Sequence, residues 1–159
     1  MATSSALQLA DLALVWDDAL GSADFRRIDA DLASDAGIET AVIISLFTDR
    51  RAEPDDVPPS GDPTDRRGWW ADEFMEHEGD KIGSRLWLLD RSKADNQVVL
   101  RAKAYVLEAL DWMIEDHVVT KIDVTTTLVG QVLTIDLILA RPAASPLTLR
   151  FAHVWDALS

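Results

Sequence analysis

Cysteine is missing from this chain of 159 residues, so disulfides and thiolate-bound metals are excluded. Long apolar runs are missing too: no stretch reaches the roughly 18 residues that a membrane-spanning helix needs. The opening residues, MATSSALQLADLALVW, hold no cation, and Asp11 interrupts their apolar part, so they do not read as a secretory signal. Cations are scarce throughout: 15 Lys and Arg stand against 28 Asp and Glu, a formal charge of −13. A surface this acidic repels phosphate backbones and anionic lipid, so neither nucleic acid nor membrane is expected as a partner. It suits docking onto a basic protein surface, and it suits plain solubility equally well. The phosphate-cradling and nucleophile motifs G-x-x-x-x-G-K-[ST], G-x-G-x-x-G and G-x-S-x-G are also absent.

What is present is the composition of a globular protein, 48% hydrophobic and 27% charged. A single domain over 1–159 is expected, with 1–10 frayed. Asp11–Trp16 alternates as a short strand, and Phe25–Ala30 reads as a second. Gly37 signals a turn. A helix is expected over Ile38–Thr48, with Ile43, Leu46 and Phe47 on one face, although AVIISLF fits a buried strand as well. Ser84–Asp90 reads as a short buried helical segment capped by Ser84. A long helix is expected over Asp95–Asp116, where Val99, Ala102, Val106, Ala109, Leu110 and Met113 recur at spacings of three and four. Then come three alternating strands. Ile122, Val124, Thr126 and Leu128 line the first, and Leu133, Ile135, Leu137 and Leu139 the second, after a turn at Val129-Gly130-Gln131. Leu147, Leu149, Phe151, His153 and Trp155 line the third, which is expected to end or bulge near His153. The fold class is therefore α+β: a long helix packed on a small, mostly antiparallel C-terminal sheet, with an additional helix and a long acidic, Trp-containing loop.

That loop belongs to the stretch Leu46–Asp90, which carries three of the six tryptophans and a dense acidic cluster. Pro54, Pro58, Pro59 and Pro63 exclude regular structure over 49–68. Two enzymatic readings arise here. Glu53, Asp55, Asp72, Glu73 or Glu76 could supply the carboxylate pair of a glycan or peptidoglycan hydrolase, with Trp69 and Trp70 stacking on sugar. A zymogram with Asp72, Glu73 and Glu76 variants tests that reading. His77 with Glu73, Glu76 or Asp80 could hold a metal, but the zincin pattern needs a second histidine four residues on, and position 81 is lysine. Carboxylates dense in a loop are more often solvated. We therefore expect Asp49, Arg50, Arg51, Arg66 and Arg67 to hold the loop together through ion pairs to Asp55, Asp56, Asp65 and Asp72. Of the adjacent Trp69 and Trp70, one is expected to anchor the loop and the other to face a partner.

The runs IETAVIISLFTDRRAEPDD, RRGWWADEF and GSRLWLLDRSK, followed by a long helix ending ALDWMIEDHVV, resemble the Mu-like prophage tail baseplate family. That family looks related to the sheath-initiator (lysozyme-like) baseplate proteins of contractile phage tails. The resemblance spans roughly residues 11–156 and is sharpest at TDRRA (48–52), RGWW (67–70) and GSRLWLL (83–89). It implies a structural α+β component near the central hub, on which sheath subunits build by extending a shared sheet. The partners it implies are hub, wedge, spike and sheath proteins. The protein would be present in several copies in a virion tail baseplate assembled in the bacterial cytoplasm. No cofactor or catalytic residue carries over. The wider family often has Glu-Pro-Arg after the long helix; here 112–117 reads WMIEDH, and only Glu115 matches. The expected contact surfaces are the loop with Asp49, Arg50, Arg51, Arg67, Gly68, Trp69, Trp70 and Trp87, and the sheet edge with Leu147, Leu149, Phe151, His153 and Trp155.

Overall fold

The computed structural model describes residues 11–17, 22–28, 35–68, 82–90, 92 and 95–154. The chain opens with an antiparallel hairpin, β1 (Asp11–Asp17) and β2 (Ser22–Ile28), in which Leu14 stands opposite Phe25. The second strand begins and ends earlier than Phe25–Ala30, because hairpin register ties its bounds to β1.

Helix α1 spans Asp35–Phe47. It starts three residues before the expected Ile38, so Gly37 lies within its first turn and is not a turn residue. Asp35 suits the positive end of the helix dipole. Ile38, Val42, Ile43 and Leu46 are buried, whereas Ile44 is exposed. The Thr40 hydroxyl donates back to the Ala36 carbonyl at 2.8 Å.

Helix α2 spans Asn96–Leu110, and α3, Trp112–Glu115, continues it through Asp111, which keeps helical backbone angles. The Asp95 carboxylate accepts from the Gln97 and Val98 N–H groups at 2.9 Å each, a strong N-cap. Of the two adjacent valines, Val98 enters the core and Val99 is only half-buried, so the apolar face runs Val98, Ala102, Val106, Ala109, Leu110 and Met113. His117, at φ 58, takes the left-handed conformation that ends the helix.

The C-terminal sheet has the order β3-β4-β5, with β3 Lys121–Val129, β4 Val132–Ala140 and β5 Leu147–Val154, all antiparallel. Gly130, at φ 61, and Gln131 form the two-residue turn between β3 and β4, where positive φ matches the twist of a tight hairpin. The ladder between β4 and β5 runs one-to-one from Leu139–Leu147 to Val132–Val154, so of the two expectations near His153 the bulge does not occur, and the described strand runs to Val154. One sheet face buries Ile122, Val124, Leu133, Ile135, Leu137, Leu139, Leu149 and Phe151 against α2 and α1. Phe47 meets Phe151 edge-on, centroids 5.5 Å apart. Polar groups around this core are paired: the Thr126 hydroxyl of β3 donates to the Val99 carbonyl of α2 at 2.9 Å, and Trp112 Nε1 of α3 donates to Ser45 Oγ of α1 at 3.1 Å.

Candidate docking surfaces

The loop after α1 is pinned by backbone before any side chain acts. The Ser84 N–H donates to the Thr48 carbonyl, and the Arg50 N–H donates to the Ser84 carbonyl, both at 2.9 Å, forming a parallel bridge between Asp49 and Ser84. Gly83 makes this approach possible. At φ +97 it sits so close that a Cβ there would lie 2.3 Å from the Thr48 oxygen. Farther along, the Ala52 N–H donates to the Arg66 carbonyl at 2.9 Å, and Gly68, at φ +101, packs against Arg51. Ser84 is buried and does two jobs: its hydroxyl donates to the Leu46 carbonyl, an orphan of the α1 C-terminus, and accepts from the Leu86 N–H. The segment Leu86–Leu89 is a 3-10 helix whose N-cap position falls on Arg85, one residue later than expected.

Side chains then lock the loop. Trp87 is buried, and its Nε1 donates to the Arg50 carbonyl at 2.8 Å. The Arg67 guanidinium lies 4.4 Å from the Trp87 ring centroid and also donates to Asp49 at 2.8 Å. Arg66 donates to the Glu53 and Pro54 carbonyls. The hub of the network is Arg85. It donates to Asp56 Oδ2 at 2.9 Å and, through Nε, to Glu108 Oε2 at 3.0 Å, and it stacks 4.7 Å over Tyr105. Arg50 reaches the same Glu108 at 3.5 Å.

Burial opposes the charge on Arg85, but the hydrogen bonds and charges of Asp56 and Glu108 outweigh it and hold its pKa above the ordinary value. Burial, then the Asp56 charge, push the Tyr105 phenol up, with Arg85 and Arg101 opposing. On the exposed rim, hydrogen bonds from the Thr64 hydroxyl and N–H hold the Asp62 carboxyl below its usual range.

The expected arginine–aspartate clamp therefore exists in part: Arg67 keeps to expected aspartates, and other members take different partners. Arg67 pairs with Asp49 and lies 3.9 Å from Asp65, whereas Asp56 pairs with Arg85 and Arg50 turns to Glu108. Sequence reasoning missed Arg85 as the hub. Its partners lie 29 and 23 residues away, beyond any helical or strand spacing rule. Its place inside GSRLWLL was the available signal. Trp69, Trp70, Asp72, Glu73, Glu76, His77, Asp80 and Trp155 lie outside the described residues. Among the described residues no cluster of His, Cys, Asp and Glu has the form of a metal site. An apolar recess of about 140 Å³ opens between Leu46, Phe47, Leu86, Trp87, Leu133 and Ile135, with Asp49 and Asp90 at its wall.

The second surface is the sheet edge. Leu149 and Phe151 point into the core, Leu147 is half-buried, and His153 is placed on β5 by its backbone alone. Among the described residues β5 pairs only with β4, and β3 likewise, leaving two edges. β3 carries a surface Lys121–Asp123 ion pair at its end. The Arg150 of β5 is turned onto its cross-strand partner Asp136. Both edges therefore carry ion-paired charges on their solvent face, the kind of side chain that discourages unspecific strand addition.

A family model described as phage protein GP46 matches residues 38–146. The baseplate protein gp46 of Escherichia phage Mu is 45% identical over 105 residues, 66% of this chain and 68% of that protein. The Mu-like prophage FluMu protein gp46 of Haemophilus influenzae is 31% identical over 149 residues, 93% of this chain and 99% of that protein.

Proposed function

The chain belongs to the phage protein GP46 family, and from that premise we propose that it is a structural, non-enzymatic component of a contractile tail baseplate. It acts by docking. Within the baseplate it sits near the hub, in several copies, and sheath subunits begin to assemble on it by adding a strand to the free edge of β5. What supports this reading is an antiparallel sheet whose β5 edge is unpaired among the described residues and bears one arginine, paired across the strands with Asp136 of β4. The rigid clamp around Arg85 and Trp87 holds the stretch leading to Trp69 and Trp70, which we assign as the second contact.

The reading is tested in the assembled particle. A cryo-EM map is expected to show a neighbouring subunit's strand hydrogen-bonded along β5. A β5 edge facing solvent in the finished particle would overturn the strand-addition step. Replacing both Trp69 and Trp70 by alanine is expected to block incorporation into particles while the isolated chain keeps its circular dichroism. Normal incorporation of that variant removes the tryptophan pair from the interface.

A further inference from the structure

Helix α2 and its continuation α3 bury one face, yet a second apolar stripe runs along their exposed side. Leu100, Leu107 and Ile114 are 68%, 38% and 39% exposed. They recur every seven residues, over about 21 Å of helix. Ala104 stands between the first two and Asp111 between the last two.

The charges beside this stripe are sorted along the axis. Arg101 and Lys103 lie in its N-terminal half, and Asp111 and Glu115 in its C-terminal half. None of these four has an ion-pair partner among the described residues. Glu108, by contrast, is engaged by Arg85 and Arg50.

We propose that this face is an antiparallel, two-fold contact between two copies of this chain. Placing the symmetry axis at Leu107 sets Leu107 against Leu107 and Leu100 against Ile114. The same operation sets Lys103 against the second copy's Asp111, twice by symmetry. It also brings Arg101 toward Glu115 on the flank. A parallel pairing would instead oppose lysine to lysine and aspartate to aspartate, which is repulsive. The stripe is thus self-complementary in one orientation, as an isologous interface requires. This surface lies on α2 and α3 and does not involve the β5 edge, so it stands or falls separately from strand addition.

Sedimentation velocity of the full chain from about 1 to 200 µM is expected to move from a 17.6 kDa monomer to twice that mass. Leu107→Glu, at an exposed position, is expected to keep the circular dichroism of the parent and to weaken association by at least about tenfold. Lys103→Asp and Asp111→Lys are each expected to weaken it, and the double variant to restore it. The proposal is overturned if the parent stays monomeric over the whole range. Association that survives Leu107→Glu also overturns it, as does a double charge reversal that associates no better than the single ones.

Discussion

Arg85→Ala isolates what holds the loop. Arg85 is 20% exposed, Asp56 13% and Glu108 29%, so this network is neither a surface pair nor a fully buried one. Removing one partner of a fully buried pair costs about 3–5 kcal/mol, because the remaining charge is stranded. Here neither carboxylate is abandoned completely. Asp56 keeps the Glu53 N–H at 2.8 Å, and Glu108 keeps Arg50 at 3.5 Å. That lowers the electrostatic loss to about 2–3 kcal/mol, and losing the stack on Tyr105 adds roughly 0.5–1 kcal/mol. The expected cost is about 3 kcal/mol, a fall in Tm of roughly 6–12 °C for a chain of this length. Arg85→Lys keeps the charge but not the planar fork, and should cost about 1–2 kcal/mol. Urea unfolding followed by tryptophan fluorescence measures both. In a double-mutant cycle, Arg85→Ala with Glu108→Ala should show coupling above about 1 kcal/mol. A cost below about 1 kcal/mol for Arg85→Ala would place the network among solvent-screened surface pairs and refute the clamp.

The chain has one tyrosine, so tyrosinate absorbance near 295 nm reads Tyr105 alone. Its midpoint should lie above the ordinary value of about 10 in the native protein, return to it in urea, and fall part of the way in Asp56→Asn. Because the folded value is raised, the corresponding stability is present below the unfolded pKa and lost as pH rises through the folded one; a native midpoint at or below the urea midpoint contradicts this. Gly83→Ala should cost about 3 kcal/mol or more, through both positive φ and collision with the Thr48 carbonyl. Gly61→Ala, at φ +74 with open space around it, should cost only about 1 kcal/mol; equal costs in thermal melts would remove the close-approach argument. Leu137→Ala, at a fully buried site between α2 and the sheet, should cost about 2–5 kcal/mol by chemical denaturation.

Which parts of this molecule were legible follows from the range of the interactions involved. Period-two alternation in β3, β4 and β5 is a local signal, and the burial of Leu133, Ile135, Leu137 and Leu139 follows it residue by residue. Asp95 is a local signal as well, since an N-cap acts on N–H groups two and three residues away. The errors fall where a tertiary contact chose between equal local options. Val98 and Val99 are chemically identical, and packing against the sheet selected Val98. Gly37 reads as a turn in isolation but is carried inside α1, whose length is set by burying Ile38 and Val42. Acidic density in the loop is a local signal that fits a catalytic carboxylate pair and ion pairs within the loop alike. Yet Arg85 joins Asp56 and Glu108 across 29 and 23 residues, a link that only the meeting of the loop with α2 creates. Glycine was the one long-range signal visible in the sequence. GSRLWLL places Gly83 where only a side chain without Cβ lets the strand-like bridge to Thr48 close, and that closure is what sets Arg85 and Trp87 one and three residues past the bridging Ser84. The specificity of that motif is therefore mechanical: it positions the clamp, and the clamp shapes the surface offered to a partner.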